Sequence, residues 1–308
     1  MKKSIPVTGS SIGGLLCLIV FVFFPMLLTA QDTASNATEA PQVKKKTRKP
    51  VKNTFESIWI IDNQTVMVPV KKTFEMDVMH RFGTMDKGYK DFYGLFASSN
   101  VRLGFSYVPI NKLMIGISIT KANMTWEGSA KYSIIEQTKG RGYPVSVSFY
   151  ANAAIDTRGK DNFRYFSDRV MYFNQLIIAR KFTDKISVQV APSVSHINVI
   201  DGYFSSPGKV SGIMKHDHFA VAVSGRYKIK PSMSILLNYD QPVTQHASNN
   251  PHPNISFGLE MGTGGHAFQF FAGNYYFMTP SRNNFFNQND YKERQFLIGF
   301  NITRLWNY

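Results

Sequence analysis

Apolar and polar residues alternate with a period of two along most of this chain. The clearest case is the last stretch, Arg294–Tyr308 (RQFLIGFNITRLWNY). Phe296, Ile298, Phe300, Ile302, Trp306 and Tyr308 fall on one phase, and the other phase is largely polar or small. Successive side chains point to opposite sides of a strand, so this segment predicts a strand with one apolar face tipped by aromatics. An ordinary edge strand in a soluble sheet competes with that reading. The Trp-x-Tyr ending favours the closing strand of an outer-membrane barrel, which faces lipid and ends in an aromatic belt.

Eleven further runs precede it. They are Phe74–Phe82, Val101–Val108, Leu113–Thr120, Thr125–Ile135, Val145–Ile155 and Val170–Phe182. Ile186–Ile197, His218–Ile229, Met233–Tyr239, Ile255–Met261 and His266–Phe277 complete the set. Long connections such as Gly83–Ser99, Asp156–Asp168 and Asn198–Asp217 alternate with tight turns such as Pro109–Lys112, Thr183-Asp184 and Lys230–Ser232; the short loop before Thr125 is the exception. A β-sandwich has no reason to sort its connections this way. An antiparallel barrel with long loops outside and short turns in the periplasm does. The predicted class is therefore all-β, a transmembrane antiparallel barrel of about twelve strands.

Phase also predicts faces. Leu113, Ile115, Ile117 and Ile119 face lipid, as do Val145, Val147 and Phe149, then Ile186, Val188, Val190 and Val194. Phe219, Val221, Val223, Ile255, Phe257 and Leu259 continue this surface, while Val170–Phe182 and His266–Phe277 are ambiguous in phase. Tyr107, Tyr227, Trp306 and Tyr308 are expected at the periplasmic interface, and Trp126, Tyr239 and Tyr276 at the outer one. The inward phase carries Glu75, Asp77, Arg81, Arg102, Glu127, Lys131, Asp156, Arg226, Lys228, Asp240 and Glu260, six acids and five bases. So even a balance predicts mutual pairing in a narrow, stiffened lumen rather than a selectivity ring of one sign.

Composition agrees with this outline: 14% aromatic residues, 22 glycines and near-neutral mean hydropathy. Residues 1–30 have the layout of a secretory signal, with Lys2 and Lys3, an apolar run from Ile12 to Leu28, and Leu28-Thr29-Ala30 before the cut. An uncleaved inner-membrane anchor is the alternative. The single cysteine, Cys17, lies within that run, so the exported chain has no disulfide and no thiolate chemistry. Net charge is +15, or +13 without the leader, which points to anionic surroundings. Residues 31–53 read as a disordered basic linker (KKKTRKP from Lys44), and 54–73 as a lead-in or plug-like segment before a barrel over 74–308.

The block from Thr54 through His80–Gly83 (HRFG), then Ser248–Gly258 (SNNPHPNISFG) and the ending FLIGFNITRLWNY together resemble a Bacteroidota outer-membrane β-barrel family catalogued as a domain of unknown function. The resemblance covers everything after the linker. It implies the fold and the outer membrane, and brings no catalytic or binding residue with it.

Chemistry is sparse. His216-Asp217-His218, with His246 or His252 from the next loop, is the sharpest cluster, but two histidines in phase are a weak metal signal and a polar junction is the plainer reading. Ser193, Ser195 and His196 are close in sequence, yet Ser195 and His196 point to opposite faces, which does not serve a nucleophile–base pair. No cofactor and no nucleic-acid partner are expected, and the chain reads as a non-enzyme. The leading function is a narrow porin-like or solute-specific channel; the alternative is a non-conducting barrel that anchors a partner. Basic turns and the basic tail predict affinity for an anionic periplasmic partner or peptidoglycan, or for the phosphates of outer-membrane lipid.

Overall fold

The computed structural model describes residues 49–140, 142–200 and 202–308, and the side chains of all of these but 202–205 and 210–213. The expected signal and most of the basic linker lie outside the described residues, as does Arg141. Trp59–Ile60 (β1) and Asn63–Gln64 (β2) pair as a short antiparallel hairpin. Seven long strands follow: Thr73–Thr84 (β3), Asn100–Ile110 (β4), Leu113–Thr120 (β5), Thr125–Ile135 (β6), Ser146–Asp156 (β7), Val170–Lys181 (β8) and Ile186–Ile197 (β9). Gly202–Ser206 (β10) and Lys209–Ile213 (β11) form a second hairpin within the connection expected to be a plain loop. Asp217–Lys230 (β12), Met233–Pro242 (β13), Asn254–Thr263 (β14) and His266–Gly273 (β15) precede a helix, Pro280–Phe286 (α1), and the last strand, Leu297–Asn307 (β16).

The twelve long strands close into one antiparallel barrel, in which β16 pairs with β3. Closure leaves no open edge, the condition for a sheet to stand in lipid. Tight turns join β4 to β5, β8 to β9, β12 to β13 and β14 to β15 at the end where β3 begins and β16 finishes. The wide loops and α1 gather at the other end.

Burial alternates as the sequence pattern requires. In β5, Ile115 and Ile117 are exposed to the surroundings while Met114, Ser118 and Thr120 are buried. The two strands of ambiguous phase now resolve: β8 buries Met171, Phe173, Gln175, Ile177 and Ala179, and β15 buries Ala267, Gln269 and Phe271. Both faces of these strands are apolar because their inner faces pack against an apolar part of the first hairpin. The predicted run His266–Phe277 stops early, at Gly273. The buried Asn274 side chain ends it by taking over backbone partners: Ile255 N–H donates to its Oδ1 at 2.8 Å, and its Nδ2 donates to the Pro253 and Asn289 carbonyls. Tyr276 therefore sits in a loop rather than on the outer wall.

Phe271 needs special room. It faces inward between Gly258 on β14 and Gly299 on β16, its direct cross-strand neighbours. A Cβ on Gly299 would lie 2.6 Å from the Phe271 ring, and one on Gly258 would lie 2.5 Å from Phe271 Cβ. The Arg81 guanidinium stacks on that ring, 4.4 Å from its centre.

Candidate functional site

A barrel of twelve strands has a modest bore, and here the first hairpin occupies it. Of residues 54–66, all but Glu56 and Asp62 are buried. The chain rises from the short-turn end through Phe55 and Trp59, turns at Ile61-Asp62 and descends through Val66 to the start of β3. Ile61 takes the left-handed conformation (φ 60°), which a β-branched residue adopts only under constraint. The constraint is visible: Gln269 Oε1 accepts from Ile61 N–H at 3.1 Å, and Asn301 Nδ2 donates to the Ile61 carbonyl.

One side of the hairpin is apolar. Phe55, Ile60, Ile61 and Val66 pack with Phe173, Ile177, Leu236 and Phe271 of the wall, while Ile58 and Trp59 pack with Met79, Met114 and Met278. Each such large side chain stabilises the docked hairpin by about 1.5–3 kcal/mol relative to exposure. The other side is hydrogen-bonded. Lys131 Nζ donates to Gln64 Oε1 (2.8 Å) and the Thr65 carbonyl (3.1 Å), Gln189 Nε2 to the Gln64 carbonyl (2.9 Å), and Ser148 Oγ to the Val66 carbonyl (2.8 Å). Asn63 Nδ2 donates to Asn238 (2.9 Å) and to Asp240 (2.8 Å), and Ser57 meets Thr303 at 3.3 Å.

Ten of the eleven charged residues of the inward phase are buried in this interior: Glu75, Asp77, Arg81, Arg102, Glu127, Lys131, Asp156, Arg226, Asp240 and Glu260. Lys228 is half-buried near the short-turn end of β12. The expected lattice of mutual ion pairs, however, is confined to one trio. Arg102 pairs with Asp77 and lies 3.5 Å from Glu127, its guanidinium over the Trp59 ring. The other charges take partners from the hairpin, the loops or polar residues of the wall. Arg226 reaches Glu56 at 3.5 Å and the Asn53 carbonyl at 3.0 Å. Arg81 donates to Asn301 at 2.9 Å, and Glu260 accepts from Gln269 at 2.8 Å. Asp156 accepts from Asn123, Arg158 and Arg282. The inserted segment supplies the nearer partners of Arg226, Lys131 and Asp240, and sequence phase alone does not register that.

At the outer end α1 lies across the mouth. Its Asn283 donates to Asp62 at 2.7 Å, and Asn284 donates to Ser193 (3.2 Å) and Ser195 (3.1 Å). Helix and hairpin tip thus meet within the bore. Asp62, half-buried and held away from bulk water, has its carboxyl pushed up to about 6; burial outweighs the pull of Arg81 and the hydrogen bonds from Tyr275 and Asn283.

The histidine cluster divides. His218 points inward, its Nδ1 2.8 Å from His246 Nε2, and both rings pack on Phe285. Lys215 N–H donates to His246 Nδ1 at 2.9 Å, so neutral His246 carries its proton on Nε2, toward His218. Burial and the Lys215 charge lower the affinity of His246 for a second proton. His216 turns the other way and meets the Ile197 carbonyl at 2.8 Å, and His252 lies 3.6 Å from Asp290. Among the described residues no three His, Cys, Asp or Glu side chains converge. His196 pairs with Asp217 at 2.8 Å on the outer face, opposite to buried Ser195.

The aromatics expected at the interfaces lie on the outer phase. Tyr107, Trp126 and Tyr227 are exposed, Tyr239 and Trp306 half-exposed, and Tyr308 exposed at the end of β16. Phe74 contacts both Phe105 (6.1 Å between rings) and Trp306 (5.6 Å), forming an aromatic cluster at the short-turn end. Near the opposite end His80 stacks on Phe300 at 5.1 Å.

A polar, occupied interior inside an apolar, aromatic-belted, closed wall is a membrane barrel. The chain belongs to the DUF5777 family of membrane-bound β-barrel domains. The match covers residues 55–306, so the DUF5777 domain includes the lumenal hairpin as well as the wall. No curated protein matches the sequence. Solved structures similar to it include the NanC porin, at 10% identity and TM-score 0.47, covering 76% of this chain and 99% of that one. An outer-membrane channel from Pseudomonas putida F1 shares 12% identity at TM-score 0.47 and covers 78% and 97%. The KdgM porin shares 12% at TM-score 0.43 and covers 75% and 98%.

Proposed function

We propose that this DUF5777 barrel is a narrow, porin-like outer-membrane channel for polar solutes, held shut at rest by its own lumenal hairpin. The observation that carries the reading is the chemistry of the wall behind the hairpin. Arg81, Arg102, Glu127, Lys131, Asp240 and Glu260 are buried there. A barrel that never opens would be as stable, or more so, with well-packed apolar residues in their place. A wall that must also face water has a use for charge. Glu75 Oε1, Arg81 Nη2 and Glu260 Oε1 find no hydrogen-bond partner among the described residues while the hairpin is docked, and water would satisfy them once it withdraws. The hairpin's own bonds to the wall are mostly to side-chain amides and hydroxyls, which water can replace at little cost.

A second reading has one observation in its favour. The apolar packing of Phe55, Ile60, Ile61 and Val66 against β8 and β15 is that of a core, and suits a permanently filled barrel that anchors a partner. Planar-bilayer recordings separate the two. Ser57→Cys with Thr303→Cys places a cross-link between hairpin and β16, where the hydroxyls are 3.3 Å apart. The channel reading expects the oxidised protein to be silent. The reduced protein, with Asn63→Ala and Gln64→Ala weakening the docking, should open with a conductance well below that of a general porin of about sixteen strands. Silence under both conditions would leave the anchoring reading.

A further inference from the structure

The periplasmic mouth holds a hollow of about 960 Å3 whose rim is crowded with lysine. Lys49 and Lys52 come from the chain entering the barrel, and Lys139 from the turn between β6 and β7. Lys181 and Lys185 flank the β8–β9 turn, and Lys228 and Lys230 end β12. Among the described residues Asp184 is the one acid lining it, 3.6 Å from Lys181. The hollow is built from fixed backbone. Val51 N–H donates to the Gln137 carbonyl (2.7 Å), Lys139 N–H to the Lys49 carbonyl (3.0 Å), and Lys181 Nζ to the Lys52 carbonyl (3.2 Å).

Two features narrow the occupant. Lys181 and Lys228 continue the inward phases of β8 and β12, so their cations gather over the mouth and away from annular lipid phosphates; Arg180 takes the outward phase instead, stacking on Phe182 at 5.1 Å. The lining also includes exposed apolar surface, Phe182 and Ile229 with Pro50 and Pro231. Among the described residues no guanidinium lines it. Lysines are point charges on flexible stems that accept carboxylates at varied spacing, whereas forked recognition of phosphate favours arginine.

We propose that this hollow docks an acidic peptide segment of a periplasmic protein, with carboxylates on the lysine rim and apolar side chains on Phe182 and Ile229. Each lysine contributes little by itself and is screened by salt, so the site acts only as a set. The site stands whether or not the barrel conducts.

The test uses full-chain protein in neutral detergent and a short fluorescent peptide of alternating glutamate and leucine, followed by anisotropy. Binding is expected at low salt, weakening as salt rises, and absent for the glutamine counterpart. Lys181→Gln, Lys185→Gln, Lys228→Gln and Lys230→Gln together should weaken it on the order of tenfold or more, from a few tenths of a kcal/mol per contact. Lys185→Gln with Lys230→Gln leaves the buried contacts intact and should give a smaller loss in the same direction. Lys90→Gln, exposed at the opposite end of the barrel, should bind as the parent does. Unchanged binding by the four-lysine variant would overturn the proposal. So would equal binding of the glutamine peptide, or binding only of phosphatidylglycerol vesicles or soluble peptidoglycan fragments.

Discussion

Asn283 of the outer helix donates to Asp62 at the tip of the lumenal hairpin, Nδ2 to Oδ2, at 2.7 Å. This bond joins the two elements that meet in the bore, one rising from the short-turn end and one folded in from the long-loop end. Asp62 also accepts from Asn238 at 2.9 Å, so the wall holds the same carboxylate from its side.

Asn283→Ala should therefore loosen both elements at once. Removing one donor from a buried acceptor costs about 1–3 kcal/mol. Expected outcomes are faster protease nicking of the hairpin and α1 in detergent and more frequent channel openings, with the barrel itself still migrating in a heat-modifiable way. An unchanged nicking rate would show that the hairpin is held without the helix.

Asp62 also gives docking a pH dependence. Its carboxyl is raised from 3.8 to about 6 in the docked state, chiefly by its place away from bulk water, and returns to its ordinary value when the hairpin withdraws. Arg81, Tyr275 and Asp240 are the ionisable groups that act on it there. The docked state binds the proton more tightly, so the contribution is complete below about pH 4 and lost as pH rises through about 6. Hairpin accessibility, read by labelling a cysteine at Ser57, should rise from pH 4 to about pH 7 and level off. Asp62→Asn should flatten the curve; a parent curve of the opposite slope would refute the assignment.

Lys131 is the cation that the hairpin's descending arm rests on, through Gln64 and the Thr65 carbonyl. Lys131→Met keeps the bulk and removes the donor. Stability against urea should fall by about 1–3 kcal/mol, with the loss confined to hairpin release. Hydrogen exchange should speed up at Gln64 to Val66 and stay slow in β5 and β6. Uniform acceleration across the wall would mean that Lys131 supports the barrel and not the hairpin.

Phe271 and Gly299 are a matched pair across β15 and β16. Gly299→Ala places a methyl group 2.6 Å from the ring and 2.9 Å from the His80 carbonyl, so ring and backbone must both shift. Overpacking of this kind costs about 1–3 kcal/mol. Assembly into heat-modifiable barrel should drop for Gly299→Ala and recover in part when Phe271→Leu is added. Normal yield of the single variant would show that the strands flex more than their register suggests.

Much of this architecture is determined by the sequence itself. Alternation of apolar and polar residues is local, so it reveals strand number, the faces and the closing run Phe296 to Tyr308 without reference to neighbours. The alternation of long and short connections adds that the short turns share one end and the long loops the other. Burial of Glu75, Asp77, Arg102 and Glu127 follows from the same phase. What only the tertiary structure decided is what fills the space the strands enclose. Thr54–Thr73 has no period because its hairpin is buried on all sides, by β8, β13 and β15 on one flank and β6 and β16 on another. The same contact makes β8 and β15 apolar on both faces and hides their phase. The partners of Lys131, Arg226 and Asp240 lie more than sixty residues away along the chain, at Gln64, Asn53 and Asn63. Pairings of that reach depend on how the barrel closes around the hairpin, and no short window of sequence contains them.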